Sequence, residues 1–304
     1  MDQPSQCRVD TTIPRRQVSI LAGASGSGKT TLLMQAIASW AREETFTPAL
    51  TWEATRCAYL VADRSFDEVK ARAKRLGIGD AKIELYGLQD DTTFDINLLK
   101  TPAKALEVVL TKFKKPFDLL VIDPIALFIE GNFIDFHQVA ISLFKLGRIA
   151  VQRNITMIAA HHTVKMHSDW GFLRPQDRIS GSGAFLGFSG TQMTLIQGLE
   201  TGVDYDTLYV VSHTLPRKEA YLTRGSDGEF VTLDLTARRR DDLEEVRLRL
   251  DGVEVGGVIS IQWFHNIAEE FSIPKPETLG WIRTLMSEGL LSKISRGKYR
   301  KEER

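Results

Sequence analysis

The chain has 304 residues, enough for one large domain and a small one, and its 39 basic residues balance 39 acidic ones. No overall field draws it to nucleic acid, so any such attraction must come from a local patch. With 43% apolar and 26% charged residues it reads as an ordinary globular protein, and no apolar run reaches the roughly 18 residues of a membrane helix.

The N-terminal "MDQPSQCRVDTTIPRR" has no apolar core of an export signal, so a cytoplasmic location is expected. Cys7 and Cys57 match no metal or redox spacing; Cys57 opens the apolar run "CAYLVA" and reads as a buried thiol. Strand-like and helix-like segments then alternate: "VSILA" before "TTLLMQAIASWAREE", "CAYLVA" before "SFDEVKARAKRLGI", "DLLVID" before "FHQVAISLFKLGRIAVQRN", and then "ITMIAA". Near-continuous apolar strands between amphipathic helices predict an α/β fold with a mainly parallel sheet covered on both faces. After "QMTLIQG" the segments "LYVVSHTLP", "AYLTRG" and "FVTLDL" are separated by turns, which predicts antiparallel strands at the sheet's end.

Between the first strand and helix lies "GASGSGKTT", residues 23–31, which fits G-x-x-x-x-G-K-[ST]. The backbone N–H groups of such a loop surround a phosphate, and the following helix adds its positive end. Gly23, Ser25, Gly26, Ser27, Gly28, Lys29, Thr30 and Thr31 are therefore the expected phosphate-binding residues, with Lys29 reaching the β- and γ-phosphates and the Thr30 hydroxyl taking Mg²⁺. Asp123 closes "FDLLVID" at the end of an apolar strand, where the metal-side carboxylate is expected. Pro124 follows it and cannot act as a base. The base is expected from another strand end, where Asp63 closes "CAYLVAD" and opens onto the same crevice; Asp67 and Glu68 stand next, and capping of the adjacent helix is the alternative role for Asp63. His161 and His162 end a further strand, where a polar side chain can sense the γ-phosphate; a structural role is the alternative.

The blocks "GASGSGKT", "YLVADRS" with "ARAKRLG", "LLVIDPI", and "AAHHTVK" with "RISGSGAF" resemble the RecA-like ATPases of the RepA group over roughly residues 15–235. That group comprises hexameric replicative helicases related to DnaB helicases and to phage RecA-like recombination proteins. The resemblance implies a RecA-type core, ATP hydrolysis at subunit interfaces of a ring, and single-stranded DNA as partner. It implies phosphate-loop roles for Lys29 and Thr30, the metal-side role for Asp123, and the sensor role for His162. Asp63 stands where the group more often shows glutamate, so the base is one methylene shorter here. Lys165, Arg174 and Arg178, with Trp170 and Phe172 among them, fall on the segment matching the DNA-binding loop, where cations meet phosphates and aromatic faces meet bases. Arg217 and Lys218 in "SHTLPRKEAYL" fall where the resembling helicases aim basic residues across the subunit interface; solvated turn charges are the alternative.

The charged stretch 237–256 is expected as a linker or an exposed helix between an ATPase domain over 1–236 and a small domain over 257–304. In the latter, "QWFHNIAEEF" and "KPETLGWIRTLMSEG" read as two helices, with Pro276 near the start of the second, and "LLSKISRGKYRK" as a hairpin. Helix, helix and basic hairpin predict a winged helix, with Lys293, Arg296 and Lys298 set to bind DNA phosphates; protein docking is its other use. The expected activity is an oligomeric, DNA-stimulated ATPase, foremost a replicative helicase that also meets other replication proteins. A recombination or annealing ATPase without unwinding and an ATP-switched DNA-binding scaffold are the alternatives.

Overall fold

The computed structural model describes residues 12–52, 56–63, 66–79, 82–163, 175–181, 183–198, 205–233, 236–270 and 278–303. Lys165, Trp170, Phe172, Arg174 and Pro276 lie outside them. The chain divides into two compact units, Met1–Gln197 with Asp206–Thr232, and Gly198–Tyr205 with Leu233–Arg304.

The first unit carries β1 (Val18–Gly23), α1 (Lys29–Ala41), β2 (Cys57–Val61), α2 (Phe66–Arg75), β3 (Ile83–Gly87), α3 (Pro102–Leu110), β4 (Leu119–Asp123), α4 (Phe136–Arg153), β5 (Thr156–His162), α5 (Ala184–Phe188), β6 (Thr191–Ile196), β7 (Asp206–Ser212) and β8 (Lys218–Arg224). With β9 (Phe230–Leu233), the described residues form a nine-stranded sheet in the order β3-β2-β4-β5-β1-β6-β7-β8-β9. Pairing is parallel from β3 through β6 and antiparallel from β6 to β8. This is the α/β fold of a RecA-like P-loop core.

Strand alternation splits the apolar side chains between two cores. Tyr59, Val121, Ile158 and Ala160 pack with Leu32 and Leu33 of α1, while Ala58, Ile122, Met157 and Ala159 pack with Leu106 of α3 and Leu143 of α4 on the other face. β3 and α3 have no counterpart among the segments read from sequence. The reason is visible in "IELYG", an edge strand whose three middle residues are only half-buried and therefore need no continuous apolar run.

The second unit holds α6 (Thr236–Asp251), β10 (Val258–Ser260), α7 (Ile261–Glu270), α8 (Thr278–Ser287), β11 (Leu291–Ser295) and β12 (Lys298–Lys301). Its sheet runs β10-β12-β11, antiparallel throughout. Of the two forms expected for the charged stretch, the structure shows mainly the helix, α6, but with one face buried. Val246 and Leu250 are buried in one core with Phe264, Trp281 and Leu285, and Leu243 and Val253 pack against it. An apolar stripe at that spacing is a helix face, masked in the sequence by the arginines and glutamates between its members. Arg249 bonds both Glu245 of α6 and Glu270 of α7.

Candidate functional site

β1 enters a loop from which α1 leaves at Lys29, and the geometry of that loop requires glycine at two points. Gly28, the N-cap of α1, has φ 94° and ψ 18°, a left-handed conformation. A Cβ on Gly23 would lie 2.6 Å from Ser27 Oγ and 3.1 Å from the Leu195 carbonyl oxygen. Lys29 is only 3% exposed, and its ammonium donates to the carbonyls of Gly23 and Ala24 at 2.8 Å each. It closes the loop on itself until an anion offers better acceptors. Ser27 Oγ is buried without a hydrogen-bond partner among the described residues. With the first-turn N–H groups of α1, which have no partner inside the helix, these residues suit a phosphate group.

Thr30 brings the loop to the end of β4: its hydroxyl donates to Asp123 Oδ2 at 2.6 Å. The hydroxyl of Tyr59, from the middle of β2, donates to the same oxygen at 2.8 Å. Burial, with the Asp123 carboxylate second, pushes the Tyr59 phenol well above its ordinary range, so it remains a neutral donor at physiological pH. A hydroxyl and a carboxylate form the small oxygen set that fits Mg²⁺, an ion that keeps several waters and substrate phosphate oxygens as its remaining ligands. Asp63 follows the end of β2, the strand beside β4. Val61 pairs with Asp123, the Ala62 N–H donates to the Asp123 carbonyl at 2.8 Å, and Asp63 comes next, exposed.

At the end of β5 the two histidines separate. His162 pairs in register with Gly23 and continues the α1-side series of Ile158 and Ala160. His161 points to the other face, 4% exposed, its ring against Phe133 and Phe185 with centroids 5.9 and 4.5 Å away. Its Nε2 donates to the Ser180 carbonyl at 2.9 Å, and burial lowers its pKa to about 4, with His162 and Lys29 adding repulsion. The Ser180 N–H returns to the His162 carbonyl at 2.9 Å, so Ser180 is bound to both histidines. Arg178, expected as a DNA contact, requires correction. It is 7% exposed on the described turn Pro175–Arg178, and a buried guanidinium does not present itself to a backbone phosphate.

Arg217 and Lys218 stand at the start of β8. Arg217 is paired with Glu219 at 2.8 Å and lies over the Tyr209 ring at 4.8 Å, while Lys218 Nζ reaches the Pro48 carbonyl at 3.4 Å. The other end of β8 touches the phosphate loop: Arg224 Nη2 donates to the Ser27 carbonyl at 2.6 Å. Neither Tyr59 nor Arg224 carries a motif in the sequence. Their partners are 64 and 197 residues away, and only the sheet order brings them together.

In the second unit Lys293, Arg296, Lys298 and Arg300 are exposed on the β11–β12 hairpin, which turns at Gly297 with φ 71°. Lys301 is different, because its ammonium donates to the carbonyls of Asp251 at 3.1 Å and Val253 at 2.6 Å.

A family model described as the AAA domain matches residues 2–168, more than half of the chain. No curated protein matches it. No described helix is long and apolar enough to cross a membrane.

Proposed function

The chain belongs to the AAA-domain family of P-loop ATPases, and from that premise we propose that it is an oligomeric, DNA-stimulated ATPase acting as a replicative ring helicase of the RepA type. The observation that carries the reading is the 2.6 Å bond from Thr30 to Asp123, which joins the phosphate loop to the end of β4 beside Lys29.

Lys29 leaves the Gly23 and Ala24 carbonyls for the β- and γ-phosphates, while the loop N–H groups hold the phosphate chain. Thr30 and Asp123 would hold Mg²⁺, which neutralises charge developing on the phosphates. Asp63 takes a proton from the attacking water; the water oxygen bonds the γ-phosphorus, the bond to the β-phosphate oxygen breaks, and ADP and phosphate result. His162, beside Gly23, reports the γ-phosphate to the segment that follows β5. Arg217 and Lys218 act on the neighbouring subunit's γ-phosphate. For this Arg217 must exchange Glu219 for the phosphate, a trade of one ion pair for a stronger one.

The second unit reads as a winged helix, with α7 and α8 followed by the β11–β12 wing, whose exposed cations bind DNA phosphates. Lys165 and Arg174 serve the same partner from the segment after β5. ATPase assays with and without single-stranded DNA, and unwinding of forked duplexes carrying either tail, test the reading. DNA-stimulated turnover with strand displacement is the expected result. Turnover without displacement would move the protein to recombination or annealing, and nucleotide binding without turnover would make it an ATP-switched scaffold.

A further inference from the structure

The phosphate loop is gripped from outside by the late strands. Arg224 Nη2 donates to the Ser27 carbonyl at 2.6 Å, and Arg224 Nε and Nη2 both meet Asp206 Oδ2, at 3.2 and 3.0 Å. The guanidinium lies over the Phe230 ring at 4.7 Å. A Cβ on Gly28 would lie 2.9 Å from Phe230 Cζ and 3.2 Å from Arg224 Nη2, so both side chains press on the loop at that residue. Gln35 of α1 fixes the base of the grip. Its amide accepts from the Phe230 N–H at 2.8 Å and donates to the Phe230 carbonyl at 3.0 Å.

The Ser27 carbonyl and the Gly28 N–H belong to one planar trans peptide and point in opposite directions. A donor that holds the carbonyl outward therefore holds the N–H inward, toward the space that the loop encloses. We propose that Arg224, itself oriented by Asp206 and Phe230, is a positioning residue that aims the Gly28 N–H at the bound nucleotide's phosphates. The inference rests on the reading of this loop as the nucleotide site. It adds an intramolecular arginine whose role is to shape the loop and not to contact the transferring phosphoryl. Lysine is a poor replacement, because a single ammonium on a flexible stem lacks the rigid plane that sets Nε and Nη2 on Asp206 while Nη2 meets the Ser27 carbonyl.

The test is equilibrium binding of ADP, followed by fluorescence titration, together with steady-state ATPase, for Arg224→Gln, Arg224→Lys and Asp206→Asn. A Gly28 N–H contact exists in both ground and transition states, so Arg224→Gln should raise the ADP Kd and the ATP KM together by about tenfold with kcat within about twofold. Arg224→Lys should follow it, Asp206→Asn should show a smaller loss, and the double variant Arg224→Gln with Asp206→Asn should be no worse than Arg224→Gln alone. Unchanged ADP affinity in folded variants overturns the proposal, including the case where only the melting temperature falls. A loss of kcat at unchanged KM also overturns it, because Arg224 would then act on the transition state. If Arg224→Gln does not fold, Arg224→Lys and Asp206→Asn decide by the same criteria. Failure of the unaltered protein to bind ADP would instead refute the nucleotide-site reading beneath it.

Discussion

In the phosphate loop Lys29 is 3% exposed with its ammonium held by two carbonyls, whereas in the β11–β12 hairpin Lys293, Arg296 and Lys298 stand in solvent. The two regions carry the same charge for different work. Around Lys29 the ammonium, the Thr30 hydroxyl and the Asp123 carboxylate each have a fixed neighbour, so a single substitution disturbs a set of aligned groups at low dielectric. On the hairpin the charges act in water, each weakly, and their effect is a sum that salt can screen. Single changes should be decisive in the first region and graded in the second.

The sharpest break of that contrast is Lys29→Ala. It removes the cation that the proposed mechanism sets on the transferring phosphoryl, and turnover should fall roughly 10³- to 10⁵-fold. A phosphate-release assay checks it, and residual turnover within tenfold would show that the loop does not hold the reacting phosphate. Asp63→Asn comes next. Removal of a general base lowers turnover roughly 10²- to 10⁴-fold while nucleotide binding, measured on the same protein, persists. Normal turnover would return Asp63 to a capping role and pass the base to Asp67 or Glu68, both in the first turn of α2.

The contrast extends to acid stability through His161. Its folded pKa, lowered to about 4, lies below the ordinary value near 6.5, so the imidazole stays neutral in the folded chain while the unfolded chain protonates. Its contribution is therefore fully present above about pH 6.5 and is lost as pH falls toward 4, by about 3 kcal/mol in all. Urea unfolding at pH 7 and pH 4.5 measures this, and His161→Gln should reduce the difference. An equal acid loss in His161→Gln would assign it to other groups.

The sequence exposed what lies contiguous in the chain. The loop 23–31 and Asp123 at an apolar strand's end were legible because the motif fixes their spacing and the strand fixes their direction. The two motifs put Thr30 and Asp123 on the metal side, and the structure joins them directly across 93 residues. Tyr59 and Arg224 were not legible: a tyrosine in "CAYLVA" packs as a core residue until β4 places a carboxylate at its hydroxyl, and Arg224 faces the loop only because β6, β7 and β8 double back. The buried face of helix α6 was missed for a compositional reason, since charges outnumber the apolar positions that face the core. Nor does composition separate the cations of the hairpin: Lys301 reads like its neighbours in the sequence, but it caps the carbonyls of Asp251 and Val253.

The smallest effect is expected at the hairpin, and it tests whether that region is the dispersed surface that the comparison makes it. Lys293, Arg296 and Lys298 are exposed, so their replacement by alanine leaves the core of Phe264, Trp281 and Leu285 untouched. Intrinsic ATPase should be unchanged. If each cation neutralises one phosphate of a single strand, the slope of log K against log salt should shrink by about 0.7 per residue, or about 2 for the triple variant. Single variants should each show about a third of that change, because charges acting in solvent add. Lys301→Ala provides the internal control: its ammonium is already bonded to two carbonyls, so it should lower stability without altering the slope. A triple variant with the parental slope would remove DNA from this surface and leave it to protein docking. A single variant that accounts for the whole loss would break the comparison itself, because it would reveal a fixed, specific contact of the kind that Lys29 makes in the loop.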